Sequence, residues 1–191
     1  EAYNNLGSVY LEISNYEKAI KSYKNALLIK PDYIEANYSL AIALQDQGDT
    51  EEMINQLKKV LEIQPDLDEA HYRIGLGFQN LGEQEKAIKY YQRSIEINPN
   101  FSEAYNNLGN VFKELEQPNE AIDAYKKSIL LKPNYVDAFS NLGNVLKEQG
   151  KLDMAISVYK KALLLKPNFA ECYNNMGNAL RDQGNMGEAV E

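Results

Sequence analysis

The chain has 191 residues, of which 44% are hydrophobic and 25% are charged, and its formal net charge is −8. This composition is that of a folded domain rather than a disordered chain. The acidic excess disfavours nucleic acid as a partner, because phosphate binding needs a basic surface. No apolar run approaches the length of a membrane span, so we expect no membrane partner. The single cysteine, Cys172, excludes an internal disulfide and favours the cytoplasm or another reducing compartment.

A period of 34 residues runs through the chain. It relates five prolines, Pro31, Pro65, Pro99, Pro133 and Pro167. It also relates a column of small residues, Gly7, Ala41, Gly75, Gly109, Gly143 and Gly177. Columns that share one phase predict a repeat architecture. We interpret the chain as a single array of copies at 1–33, 34–67, 68–101, 102–135 and 136–169 with a partial copy at 170–191, and as an excerpt of a longer protein.

Each copy is predicted to contain two helices. In the fourth copy, a helix over Ser102–Leu115 has the 3.6-residue apolar periodicity of a half-buried helix. Pro118 marks the start of a second helix, which includes Glu120–Leu131 and ends before the periodic proline. The residue after each periodic proline is predicted to cap the next helix: Asp32, Asp66, Asn100, Asn134 and Asn168.

Two features of the repeat predict how the helices pack. The recurring glycine of the first helix costs about 1 kcal/mol relative to alanine, so its return indicates a neighbour too close for a side chain. The second and third copies depart most from the pattern, since Met53, Leu57 and Val60 replace the usual alanine and aromatic residues. We expect local repacking there without a break in the stack.

The segments Ala104–Phe112 and Ala121–Tyr125 resemble the tetratricopeptide repeat, and the resemblance covers the whole chain. It implies an all-α fold, a right-handed α-solenoid superhelix of antiparallel helix pairs. It also implies that the first helix of each pair lines a concave groove. A protein or extended peptide is the partner that such a groove implies.

Amide side chains recur on the first helices at positions expected to face this groove. They are Asn5, Asn107, Asn110, Asn141, Asn144, Asn175 and Asn178, and Asn106 is predicted on the same open face. Amides donate and accept hydrogen bonds, so such rows could bind the backbone of an extended peptide. The alternative, left open by the sequence, is that they only link neighbouring helices or face water.

Apolar residues replace the amides in the second and third copies. Tyr38, Ile42, Tyr72 and Leu76 are predicted to form an apolar patch in the groove. Exposed patches with tyrosine often bind partners, although tighter packing could instead cover this one. The binding interpretation predicts that Tyr38→Ala with Leu76→Ala lowers partner affinity without loss of helicity.

The sequence offers little for catalysis. His71 is the only histidine, so neither a zinc cluster nor a Cys–His pair is expected. The glycines of Gly75–Leu76–Gly77 follow no predicted strand, which excludes a phosphate-binding loop. Cys172 stands where other copies have alanine, and it is predicted to be buried. We therefore predict no enzyme, no metal and no cofactor.

The predicted function is a non-catalytic scaffold that binds a protein or peptide. The asparagine rows also resemble those of the repeat domain of O-linked N-acetylglucosamine transferase, which implies a substrate-recruiting segment of a larger glycosyltransferase. That resemblance covers Asn5, Asn107, Asn141 and Asn175 and lapses at Ser39 and Arg73.

Two other partners were considered from the sequence, a chaperone tail and a second copy of the chain. Grooves that bind chaperone tails use basic residues to clamp a carboxylate, and the acidic residues expected at this rim disfavour such a clamp. A second copy could bind by end-to-end self-association through the open ends of the array.

Overall fold

The computed structural model describes residues 1–184, so residues 185–191 of the predicted sixth copy lie outside the described part. The helices of that part are α1 (Ala2–Glu12), α2 (Tyr16–Ile29), α3 (Ile34–Gln47), α4 (Thr50–Ile63), α5 (Asp68–Asn80), α6 (Gln84–Ile97), α7 (Ser102–Glu114), α8 (Pro118–Leu131), α9 (Val136–Glu148), α10 (Leu152–Leu165) and α11 (Ala170–Asp182). They fall into two compact units, an N-terminal unit of Glu1–Pro99 and a C-terminal unit that begins at Asn100.

Within each unit the helices pair along the chain. The pairs are α1 with α2, α3 with α4 and α5 with α6 in the N-terminal unit, and α7 with α8 and α9 with α10 in the C-terminal unit. We call α1, α3, α5, α7, α9 and α11 the first helices. The predicted bounds are confirmed to within two residues in the fourth copy, where Pro118 is at the first position of α8.

The recurring glycine lies against a tyrosine of the paired second helix. A Cβ on Gly109 would lie 2.7 Å from Cε1 of Tyr125, which is fully buried. The second copy has Ala41 at the glycine position and Leu57 at the tyrosine position, and both are fully buried. The predicted close approach is therefore confirmed. Glycine is found where the second helix has tyrosine, and alanine is found where the smaller leucine leaves room for a Cβ.

The expected repacking of the second copy is also confirmed. Helices α3 and α4 are continuous, and Met53 and Val60 are buried. Gly77 of α5 lies against α4 at Met53, because a Cβ on Gly77 would lie 2.8 Å from Cγ1 of Ile54 and 2.9 Å from Cε of Met53. A smaller residue on the next helix therefore accommodates the larger methionine.

The predicted helix caps are wrong. The first helices after the periodic prolines begin one residue later, and their N-cap residues are Tyr33, Leu67, Phe101, Tyr135 and Phe169, without side-chain cap hydrogen bonds. The predicted capping residues instead belong to the turn that precedes each helix. Three of these N-cap rings pack against lysine: Nζ of the lysine lies 5.3 Å from the ring centre of Tyr33, 4.8 Å from that of Tyr135 and 4.7 Å from that of Phe169.

Candidate binding surface on the first helices

The C-terminal unit contains a connected network of amides on α7 and α9. Nδ2 of Asn141 donates hydrogen bonds to Oδ1 of Asn106 and to Oδ1 of Asn110, each at 3.1 Å. Nδ2 of Asn106 donates to Oδ1 of Asn107 at 3.2 Å. The predicted row therefore links neighbouring first helices, as one of the two sequence interpretations required.

Tyrosine hydroxyls fix the orientation of two further amides. The Tyr125 hydroxyl donates to Oδ1 of Asn110 at 2.8 Å, and the Tyr159 hydroxyl donates to Oδ1 of Asn144 at 2.6 Å. Burial raises the pKa of both tyrosines, so the hydroxyls stay protonated donors at neutral pH. Since the carbonyl side of each amide binds a tyrosine, its NH2 group is directed elsewhere.

These NH2 groups have no hydrogen-bond acceptor within residues 1–184, and Asn110 and Asn144 are partly exposed. Oδ1 of Asn141 likewise has no donor in the same part of the chain. The surface thus presents donors from two amides and an acceptor from a third. This arrangement is able to hydrogen-bond a ligand that carries both kinds of group.

The remaining predicted amides differ in their surroundings. Asn175 and Asn178 on α11 are partly exposed and make no hydrogen bond among the described residues, and Asn5 on α1 is exposed. Asn106 was predicted on the open face, and that placement is wrong because its side chain is only 4% exposed. It is buried where α7 meets α9, which sequence periodicity within α7 alone does not reveal.

The predicted apolar patch of the N-terminal unit is partly buried at all four positions, Tyr38, Ile42, Tyr72 and Leu76. Beside it, a depression is lined by Ile34, Leu67 and the Tyr38 ring among others. The ring centres of Tyr72 and Tyr91 lie 5.9 Å apart. Enough of the patch is accessible for contact with a partner, and its binding role stays a prediction.

Arg73 is the cation of this patch. Its Nε donates to the Tyr38 hydroxyl at 2.9 Å and its Nη1 donates to Oε1 of Gln45 at 3.0 Å. Its Nη2 forms an ion pair with Glu69 at 2.9 Å. Burial raises the pKa of Tyr38, so this hydroxyl also stays protonated at neutral pH. With a carboxylate already bound to Arg73, a free cationic clamp is not available at this position.

Sequence reasoning missed the link between each tyrosine and its amide, although a signal was present. Copies with asparagine or serine in the Asn110 column have tyrosine in the Tyr125 column, as where the Tyr23 hydroxyl donates to Oγ of Ser8 at 3.2 Å. The second copy has Ile42 with Leu57, which leaves no hydroxyl to satisfy. The third copy keeps Tyr91 beside Leu76, and the hydroxyl donates to Gln79 instead at 2.8 Å.

The residues considered for catalysis have structural surroundings. Nε2 of His71 lies 2.9 Å from the carbonyl oxygen of Pro65, and its ring packs against Tyr90 at 5.9 Å. Cys172 is fully buried, as predicted, and burial raises the pKa of its thiol to about 11. Residues 1–184 contain no group of three side chains able to hold a metal ion.

Over the described residues, every helix is too short or too polar to cross a bilayer.

The paired helices and their 34-residue period define an α-helical repeat protein. A family model described as TPR repeat matches residues 7–48, 109–150 and 143–184, and models described as tetratricopeptide repeat match residues 34–67, 68–101 and 90–123. The chain therefore belongs to the tetratricopeptide repeat family, and the predicted fold class is confirmed. No curated protein matches the chain.

Solved structures share this fold. The crystal structure of MamA is 30% identical, covers 87% of this chain and 97% of its own, and has a TM-score of 0.81. PilF of Pseudomonas aeruginosa is 20% identical over 99% of this chain and 86% of its own, with a TM-score of 0.84. YrrB, described as a TPR protein with an unusual peptide-binding site, is 21% identical over 88% of this chain and 87% of its own, with a TM-score of 0.73.

Proposed function

We propose that this chain is a non-catalytic scaffold whose first helices bind an extended protein segment or peptide. The observation that carries the proposal is the orientation of Asn110 and Asn144. Their carbonyl oxygens accept hydrogen bonds from buried tyrosines, so their NH2 groups are left to serve a ligand. These donors recur at equivalent positions of successive copies and are partly exposed, so a ligand is able to reach them.

The ligand that fits this surface is a peptide backbone. Each peptide unit carries one carbonyl acceptor and one N–H donor, which match the NH2 of Asn110 and Oδ1 of Asn141. Amides contact a backbone irrespective of its side chains, so the C-terminal unit would contribute affinity with little sequence preference. The patch of the N-terminal unit is a surface of its own, at which Tyr38 and Leu76 favour apolar side chains in a partner.

The experiment selects extended peptides from a random display library on the intact chain and measures their affinity for variants. Asn110→Asp with Asn144→Asp keeps the oxygens that the tyrosines need and removes both NH2 groups. We expect about a tenfold or greater loss of affinity, because each lost hydrogen bond to a ligand contributes up to 1.5 kcal/mol. Asn55→Asp, at an exposed position of α4, is the matched control with the same chemical change. Equal affinity of the double variant and this control would remove the proposal.

The apolar patch is tested in the same assay with Tyr38→Ala plus Leu76→Ala. We expect the selected peptides to bind more weakly while the circular dichroism of the helices is unchanged. Loss of helicity in this variant would assign the two residues to the core instead.

A second candidate is a substrate-recruiting segment of a larger glycosyltransferase. It is favoured by the asparagine column in which Asn107 and Asn141 stand at equivalent positions of successive copies and are joined through Asn106. Sequencing of the gene beyond residue 191 tests it. A glycosyltransferase domain encoded in the same frame supports this candidate, and a different domain there rejects it.

End-to-end self-association is a third candidate, and it rests on α1. Val9 is 54% exposed and Leu6 is 42% exposed, whereas the equivalent Ala43 and Leu40 of α3 are buried. This apolar face is able to pack against a second copy of the chain. Light scattering over a range of concentrations tests it, with Leu6→Glu plus Val9→Glu as the variant. A wild-type chain that stays monomeric throughout rejects the candidate.

A further inference from the structure

The second helices of the C-terminal unit carry an exposed surface with no assigned role. Helices α8 and α10 share a Lys-Lys-x-x-Leu sequence at equivalent positions, and we name these residues the Lys–Leu surface: Lys126, Lys127, Leu130, Lys160, Lys161 and Leu164. In a helix, residues three and four apart lie on one face, so each leucine lies beside its two lysines. Leu130 is 71% exposed and Leu164 is 82% exposed, so both leucines are accessible to a partner.

The charges of this surface are not balanced within the described residues. None of its four lysines forms an ion pair, a hydrogen bond or an aromatic contact through its side chain in residues 1–184. Asp123 lies one turn before Lys127 and is exposed, yet it forms no ion pair with it. The chain as a whole has a net charge of −8, so this cationic surface is a local exception.

Helices α4 and α6 of the N-terminal unit balance the same columns internally. Nζ of Lys58 lies 5.5 Å from the ring centre of Phe78, and Nζ of Lys59 donates to Oε1 of Gln56 at 3.3 Å. Arg93 forms ion pairs with Asp66 at 2.7 Å and with Glu96 at 3.1 Å.

The leucine column changes with these charges. Where α8 and α10 have leucine, α4 and α6 have the exposed acidic residues Glu62 and Glu96. Helices α8 and α10 therefore differ from α4 and α6 both in their unpaired lysines and in their exposed leucine.

The exposure of the leucine column is a property of the repeat. Leu28 of α2 occupies the same column and is 82% exposed, although α3 and α4 follow it in the same unit. Leu130 is exposed although α9 and α10 follow it. A following helix pair therefore does not cover this position.

The chemistry of the surface selects one class of partner. Nucleic acid is disfavoured because the leucines would lie against phosphates and the chain is acidic. A bilayer surface is disfavoured because two leucines without an exposed aromatic residue bury little apolar area. A helix with leucines on one side and carboxylates beside them satisfies both components, since it covers the leucines and neutralises the lysines.

We propose that the Lys–Leu surface is a docking site for an acidic amphipathic helix of a partner protein, separate from the first-helix surface. The partner's carboxylates pair with Lys126, Lys127, Lys160 and Lys161, and its leucines pack on Leu130 and Leu164. A tetratricopeptide repeat chain with this site binds two partners at once, an extended segment on the first helices and a helix on the second helices.

The test uses the whole 191-residue chain and a fluorescein-labelled peptide that forms a helix with glutamates flanking a leucine stripe. Fluorescence anisotropy is expected to report binding, with affinity falling as NaCl is raised from about 50 to about 300 mM because the pairs are exposed. Leu130→Glu with Leu164→Glu, which installs the residue type of α4 and α6, is expected to weaken binding about tenfold or more. Lys126→Glu with Lys160→Glu is expected to do the same.

Matched variants separate the surface from folding and from the first helices. Leu28→Glu makes the same change in the N-terminal unit and is expected to leave peptide binding unchanged, as is Asn110→Asp on the first-helix surface. Circular dichroism confirms that each variant is folded. Equal affinity of the wild type and the Leu130/Leu164 variant overturns the proposal. Binding of phosphatidylserine vesicles without binding of the acidic peptide also overturns it.

Discussion

The two units make the same bridge between successive first helices with different chemistry. In the N-terminal unit, Arg73 reaches back to Tyr38, and in the C-terminal unit Asn141 reaches back to Asn106. Both pairs are separated by 35 residues, so the donors occupy one repeat column and the acceptors another. The first bridge is charged and aromatic and the second consists of neutral amides.

This comparison separates what the fold provides from what the side chains provide. The repeat brings the two columns into hydrogen-bonding distance in both units. The residue types then decide what a ligand meets: an aromatic and apolar surface around Arg73, or amide donors and acceptors around Asn141. Equivalent positions therefore share one geometry in the two units but differ in the chemical groups that they present.

The first prediction concerns the tyrosine that orients Asn110. Gly109→Ala places a Cβ 2.7 Å from Cε1 of Tyr125. Overpacking costs about 1–3 kcal/mol, and alanine recovers about 1 kcal/mol of helix propensity. We expect a net loss of up to about 2 kcal/mol in the free energy of unfolding, measured in urea.

The second copy supplies the control for this change, because it already combines Ala41 with Leu57. In a Tyr125→Leu background, Gly109→Ala is expected to be neutral or stabilising. The double-mutant cycle then gives a coupling energy of about 1 kcal/mol or more. If the free-energy changes of Gly109→Ala and Tyr125→Leu were additive, the steric explanation of the recurring glycine would be wrong.

Asn141→Ala tests the amide bridge. It leaves Oδ1 of the buried Asn106 without the donor that Asn141 provides. An unsatisfied buried acceptor costs about 1–3 kcal/mol, so we expect a loss of that size in urea unfolding. Asn175→Ala, in the same column of α11, is the control and is expected to change stability by about 0.5 kcal/mol or less, as a surface substitution does. Similar losses in both variants would show that the bridge contributes nothing specific.

Tyr38→Phe tests the charged bridge and is expected to have a smaller effect. Arg73 retains its contacts with Gln45 and Glu69, and its side chain is 25% exposed, so solvent screens the lost hydrogen bond. We expect a loss of about 0.5–1 kcal/mol that changes little with salt, because the Tyr38 hydroxyl is neutral. A larger loss than in Asn141→Ala would reverse the comparison between the two bridges.

The repeat and the helix pairs were predictable because they depend on spacing along the chain. The helix starts were not, since Asn100 was predicted as a cap while the helix begins after Phe101. At Tyr135, for example, the N-cap ring packs against Lys132 at the end of the preceding helix. This contact is not contained in the sequence pattern of the helix that follows.

The candidate site was predictable in its residues but not in its bonds. The burial of Asn106 depends on the distance between α7 and α9, which no single-helix pattern contains. The orientation of Asn144 depends on the Tyr159 hydroxyl fifteen residues away. Reading columns in pairs across both helices of a copy would have found it, because asparagine and tyrosine occur together there.

A further small effect is expected in the turn between the two helices of a copy, where different copies use different residues for one backbone shape. Gly150 has φ 69°, and Glu116 has φ 56° at the equivalent turn. A non-glycine residue in this region costs about 1–2 kcal/mol, and glycine loses about 0.5–1 kcal/mol through its greater freedom in the unfolded chain.

Glu116→Gly is therefore expected to stabilise the chain by about 0.5–1 kcal/mol, measured by urea unfolding. Gly150→Ala is the reciprocal change, and a Cβ there would have no heavy atom within 4 Å, so any loss reports backbone strain alone. Ser14→Gly in the N-terminal unit, where φ is 57°, is expected to match Glu116→Gly in sign. Stabilisation at one site and destabilisation at the other would show that the two turns, unlike the two bridges, are not equivalent.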